Sequence, residues 1–111
     1  MGKKFKFNKD EIKSLIPDMG GSIATDTIMV EGLKIGYAYR EQPLNDMDNG
    51  WRFFSGTESQ EYLDDSSKSG VYSLNTIVNY DISIIPYLEL PIGTELERVE
   101  DSNEFEIYFN E

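Results

Sequence analysis

Leu33-Lys34-Ile35-Gly36-Tyr37-Ala38-Tyr39-Arg40, followed after a polar stretch by Trp51-Arg52-Phe53-Phe54-Ser55, is the part of the sequence that decides the fold. In the first run Ile35, Tyr37 and Tyr39 fall on one side and Lys34, Gly36, Ala38 and Arg40 on the other, which is the period-two alternation of a half-buried strand. Residues 42–50 are polar, contain Pro43 and end in Asn49-Gly50, so they turn the chain into a second strand that pairs antiparallel with the first. Phe53 and Phe54 then face opposite sides. One of them needs a cover other than the main core, either the loop that carries Tyr62 or a partner.

Working outward, residues 22–25 read as a short strand. Before them, Asn8 and Glu11 have the form of a loose capping box, and Ile12, Leu15 and Ile16 follow at helical spacing, so a short helix is expected over residues 9–16, stopped by Pro17 and Gly20-Gly21. Downstream, residues 56–70 are rich in Ser, Asp and Glu with only Tyr62 and Leu63 as apolar anchors, the pattern of a surface loop or a single helical turn. Leu74, Ile77 and Val78, then Ile82, Ile84, Ile85 and Leu88, form two brief helical bursts with Asp81 between them as an N-cap; Pro86 fits only the first turn of the second burst or a tight turn. At the end, alternation of Phe105, Ile107 and Phe109 with Glu104, Glu106 and Tyr108 predicts a β-hairpin over residues 95–109. The sum is an α+β domain spanning 1–111: a mostly antiparallel sheet of about five strands with short helices packed on it.

The bulk composition fits a folded domain whose acidity serves either to steer a partner or only to keep a cytosolic protein soluble. The 111 residues are 39% hydrophobic and 13% aromatic, enough for a real core in one domain. Net charge is −11: five bases against two acids give +3 over residues 1–15, which leaves −14 on the remainder. Such a field repels nucleic acid and anionic lipid and speeds encounter with a basic partner. There is no cysteine, no run of signal-peptide length and no apolar stretch near a membrane span, so the expected compartment is the cytoplasm.

Histidine is also absent. The usual general base, the usual zinc sets and the cysteine nucleophile therefore cannot be built, and neither an enzyme nor a cofactor or metal site is expected. A two-carboxylate hydrolase remains formally open, because 21 acids make some pairing inevitable. The segment 45–50 hints at a calcium loop, yet in an EF-hand register Met47 takes a ligand position and Gly56 stands where the bidentate Glu belongs, so a turn is the better reading. Arg40 and Arg52 sit on adjacent strands and are expected to meet carboxylates, from Glu61, Asp64 or Asp81, either as internal braces or as a ligand-binding pocket. Trp51 is read as a core anchor or as an interface residue.

Several blocks occur in series: Gly36-Tyr37 through Tyr39-Arg40-Glu41, Gly50-Trp51-Arg52-Phe53-Phe54-Ser55-Gly56, Glu61-Tyr62-Leu63-Asp64, Tyr72-Ser73-Leu74-Asn75-Thr76-Ile77, Asn79-Tyr80-Asp81 and Ile84-Ile85-Pro86-Tyr87-Leu88. Over about residues 22–98 the chain resembles a bacterial family long catalogued as a domain of unknown function and now grouped with immunity proteins of polymorphic toxin systems. In that family Pro often follows Asp81, where this chain has Ile82, and the N-terminal Lys-rich segment and the hairpin after Arg98 fall outside the shared blocks. The resemblance implies binding and neutralisation of a cognate toxin, and the acidic body makes a basic toxin the expected partner. The expected contact surface is Asp46, Asp48, the face around Trp51, and Glu58, Glu61, Tyr62, Asp64 and Asp65. Arg40, Arg52, Asn75, Tyr80 and Asp81 are expected to be structural or to line a pocket, in a monomer or weak homodimer. The alternative is a stand-alone cytosolic module that binds a small molecule or a regulatory protein through Arg40 and Arg52.

Overall fold

A computed structural model describes residues 3–109. In chain order the elements are β1 (Gly21–Thr25), the one-turn α1 (Asp26–Met29), β2 (Tyr37–Arg40), β3 (Asp48–Phe54), α2 (Gln60–Asp64), β4 (Ser69–Ser73), α3 (Leu74–Tyr80), β5 (Thr94–Arg98) and β6 (Phe105–Phe109). Three-residue 3-10 turns lie at Lys9–Glu11 and Ser66–Lys68, and a longer one at Ile82–Tyr87. The fold is α+β. Its sheet has six strands in the order β4-β1-β3-β2-β5-β6, all paired antiparallel except β1 with β3.

Strand register sorts the side chains onto two faces. One row crosses all six strands as Gly70, Ala24, Phe53, Ala38, Leu96 and Ile107. This is the inner face: Ala24, Trp51, Phe53, Ala38 and Leu96 are buried with Ile28 and Met29 of α1 and Leu74, Ile77 and Val78 of α3. Spacing of i, i+3, i+4 turns the α3 trio to the sheet, and the Ser73 hydroxyl caps that helix by accepting the Thr76 N–H at 3.1 Å. Trp51 donates its indole N–H to the Leu88 carbonyl at 2.9 Å, which holds the 82–87 turn over the core. Each fully buried large side chain here contributes about 1.5–3 kcal/mol.

The first strand is shorter than its alternation predicts. Residues 33–36 lie outside regular structure, and Ile35 is buried although Tyr37 and Tyr39, two and four positions on, face the other side of the sheet from Ala38. Gly36 allows this: a Cβ there would meet the Ser55 carbonyl oxygen at 2.1 Å. Asn49-Gly50 is likewise not a hairpin turn. It sits inside β3, where the parallel register with β1 slips between Gly21↔Asp48 and Ile23↔Arg52. Asn49 accepts from the Ser22 hydroxyl (2.8 Å) and the Trp51 N–H (2.9 Å) and donates to the Met19 carbonyl (2.9 Å), so its buried amide stitches the bulge together.

The helix expected over residues 9–16 is reduced to the turn Lys9–Glu11, and Ile12 is already extended, with φ −82° and ψ 121°. Glu11 does accept the Asn8 N–H at 2.9 Å. Two asparagines of α3 then outcompete the helical bonds. Asn75 accepts the N–H groups of Leu15 (2.8 Å) and Ile16 (3.2 Å), and Asn79 accepts that of Lys13 (3.0 Å). Both donate to the Lys13 carbonyl at 2.8 Å. Residues 13–16 are therefore an irregular strap, held through the N–H groups of Lys13, Leu15 and Ile16 and the Lys13 carbonyl by those two side chains. No helix among the described residues is long and apolar enough to cross a membrane.

Candidate functional site

The second, outer face of the sheet carries different chemistry. Its rows run Val71, Ile23, Arg52, Tyr39, Glu95 and Tyr108 across all six strands, and Phe54, Tyr37, Glu97 and Glu106 across four of them. No helical layer of the core covers these rows. Tyr39 stacks on Phe54 with ring centroids 5.7 Å apart and planes at 19°, and Tyr37 closes the triangle at 5.8 Å from Phe54 and 6.1 Å from Tyr39. All three rings are only half-buried. They floor a groove of about 770 Å³ whose far wall is Tyr62 and Leu63 of α2, with Ile23 at its base.

Charge rims this groove. Glu97 and Asp65 line it, against one cation, Lys68, whose ammonium lies 6.0 Å from the Tyr62 ring centre. Glu61 and Asp64 stand exposed on α2. The Tyr37 hydroxyl donates to Glu95 at 2.8 Å; burial and that carboxylate together push its pKa up to about 12, so it stays a neutral donor. Burial, with the Glu41 carboxylate, raises the Tyr39 pKa as well, against the opposing charge of Arg52.

Glu58 also lines the groove but is committed to the fold. Its Oε2 accepts the hydroxyls of Thr25 (2.6 Å) and Thr27 (2.7 Å) and the Ser55 N–H (2.9 Å), and its Oε1 the Gly56 N–H (2.9 Å). Burial pushes this carboxyl up, yet the hydrogen bonds outweigh it and hold its pKa down at about 2. This clasp fixes the 55–58 turn beneath α2, whose own cap is the Ser59 hydroxyl accepting the Tyr62 N–H at 3.1 Å.

The two arginines do not meet the carboxylates expected for them. Arg52, 2% exposed, donates through Nε to Glu41 (2.6 Å), through Nη1 to Asp48 (2.8 Å) and the Trp51 carbonyl (3.1 Å), and through Nη2 to Asp48 again (2.8 Å). Hydrogen bonding to Arg52 holds the Asp48 carboxyl well below the usual range. Arg40 meets no carboxylate among the described residues: it donates to the carbonyls of Asn49 (2.9 Å) and Leu90 (2.8 Å) and lies 5.8 Å from the Trp51 ring centre. Asp81, 4% exposed, is instead paired with Arg98, accepts the Ile35 N–H at 3.0 Å, and caps the 82–87 turn through the Ser83 N–H at 3.1 Å. Glu61 and Asp64 meet neither arginine.

Of the expected contact residues, the structure brings Tyr62 and Asp65 together at the groove, with Glu61 and Asp64 beside them on α2. Trp51 is corrected: it is 0% exposed in the core, so no partner reaches its ring. Asp48 and Glu58 are occupied by Arg52 and by the hydroxyl clasp, while Asp46 is exposed in the 41–47 loop, away from the groove lining. Tyr80 stacks on Phe7 at 4.5 Å and accepts the Phe7 N–H at 3.2 Å, and Asn75 holds the N-terminal strap. The groove residues that sequence reading missed are Tyr37, Tyr39, Phe54 and Glu97, with Glu95 beside them as the acceptor of the Tyr37 hydroxyl. Alternation in Thr94-Glu95-Leu96-Glu97-Arg98 does mark both glutamates as same-face neighbours.

The fold is thus a small α+β sheet protein with one face packed under helices over its central strands and one open, acid-rimmed aromatic face. The chain matches the family model described as the Immunity protein Imm33 domain over residues 22–108 and belongs to that family. The match extends past residue 98 and takes in nearly all of the C-terminal hairpin, which is therefore part of the shared domain. No curated protein and no solved structure matches the chain.

Proposed function

We propose that this immunity-family protein acts in the cytoplasm as part of a polymorphic toxin system, binding a cognate bacterial toxin and neutralising it by contact, without catalysis. The observation that carries the reading is the outer face itself. A three-ring aromatic floor left half-exposed beside acids is the make-up of an interface, with large amphipathic anchors inside and a charged rim around them. The net charge of −11 favours a basic toxin and fast encounter. The contact surface in this reading is Glu61, Tyr62, Asp64 and Asp65 with the groove they overhang. The alternative, a module taking a small ligand on Arg40 and Arg52, draws little support from those side chains: Arg52 is bridged to Glu41 and Asp48, and Arg40 donates to two backbone carbonyls of the fold.

Charge reversal tests it. Glu61→Lys with Asp64→Lys, assayed against the cognate toxin, is expected to slow association about tenfold at low salt, with thermal stability unchanged. An unchanged on-rate takes α2 out of the interface.

A further inference from the structure

The outer face holds a local conflict that its neighbours on the inner face do not have. Glu97 and Glu106 stand directly opposite one another across the β5–β6 ladder, and like charges in that position destabilise a sheet. Glu106 accepts the Tyr108 hydroxyl at 3.0 Å, whereas Glu97 has no hydrogen-bond or ion-pair partner among the described residues. Along its own row Glu97 is opposite Tyr37, and Tyr37 is opposite Phe54, so the lone carboxylate stands at the edge of the ring floor. Arg52 lies on the same face but is bridged to Glu41 and Asp48 and does not line the groove. Lys68 marks the other end of the groove, against Tyr62.

Resting on the immunity reading, we propose that this groove receives an arginine side chain of the toxin, its guanidinium lying over the Tyr37, Tyr39 and Phe54 rings and paired with Glu97. Charge complementarity selects the occupant, since three acids (Glu58, Asp65, Glu97) and one lysine line the groove; Glu58 is held by Thr25, Thr27, Ser55 and Gly56, and Asp65 by Ser67, which leaves Glu97 as the lining acid without a partner among the described residues. Planarity selects arginine over lysine. A guanidinium stacks on an aromatic face and presents two parallel donors to one carboxylate, which a compact ammonium does not do. The opposed Glu97–Glu106 pair is then a strain of the free protein that the partner's cation relieves.

The proposal separates stability from affinity. Glu97→Gln is expected to raise the melting temperature of the free chain, because it removes a like-charge opposition, and to weaken toxin binding at least tenfold. Tyr39→Ala is expected to weaken binding likewise. A toxin-free arm uses the isotopically labelled chain titrated with N-acetyl-arginine methylamide, with the neutral citrulline analogue as control. Saturable shifts at residues 37, 39, 54 and 97 with arginine alone, reduced at least threefold in Glu97→Gln, support the site. Equal shifts with both probes, or shifts spread evenly over the acidic surface, overturn it. So does a toxin complex indifferent to Glu97→Gln, and in that case the immunity reading stands. Failure of the unaltered chain to bind the toxin strikes the immunity reading instead, and the arginine titration still decides the groove.

Discussion

The two faces of one sheet differ by a single residue of register. Phe53 points inward and is 1% exposed in the core, while its neighbour Phe54 points outward and lies half-buried in a stack with Tyr39. The inner face was filled by the fold, with Trp51 and Leu96 sealed and even Arg40 turned onto carbonyls. The outer face was given rings and carboxylates, and its Tyr37, Tyr39 and Phe54 rings were left half-exposed. The lesson is that aromatic content alone does not separate core from site; the strand parity of each ring does.

That contrast can be broken most severely at the paired phenylalanines. Phe53→Ala is expected to cost about 3–5 kcal/mol in denaturant unfolding, as core truncations do, whereas Phe54→Ala is expected to cost about 1 kcal/mol, because only part of its area leaves water on folding. Comparable losses would erase the distinction between the faces. Next in size, Asp81→Ala is expected to destabilise by about 3 kcal/mol, since it strands Arg98 and the Ile35 N–H together, and to leave toxin binding by the folded fraction intact.

A smaller effect is read through pH. The carboxyl of Glu58 is held at about 2 in the folded protein, against an ordinary 4.5. Its folded pKa is depressed, so its stabilisation is present above the ordinary value and is lost as pH falls from about 4.5 to about 2. Asp48, lowered chiefly by its hydrogen bond to Arg52, contributes in the same direction. Unfolding midpoints measured down this range should fall, and Glu58→Gln should flatten the slope without abolishing it. An unaltered slope in the variant would mean the hydroxyl clasp does not form.

Much of the sheet was legible from its alternation: the 37–40 and 51–54 strands, their antiparallel pairing and the terminal strands all carry period-two patterns. The failures share a cause. Residues 9–16 had helical spacing, but spacing is blind to Asn75 and Asn79 arriving from 60 and 66 positions away to take the same backbone groups. Asn49-Gly50 had turn chemistry, which a bulge in β3 uses equally well. Trp51 offered two readings that only strand parity resolves. Among site residues, the acidic loop with Tyr62 was visible because it is contiguous. The ring floor was not, because Tyr37, Tyr39 and Phe54 come from two strands and Glu97 from a third.

The central claim is that the uncovered face meets the partner. Hydrogen–deuterium exchange of the chain alone and saturated with the cognate toxin measures this directly. Added protection concentrated in residues 37–40 and 60–65, with the α3 and 82–87 segments unchanged, is the expected result; protection confined to those inner-face helices would contradict it.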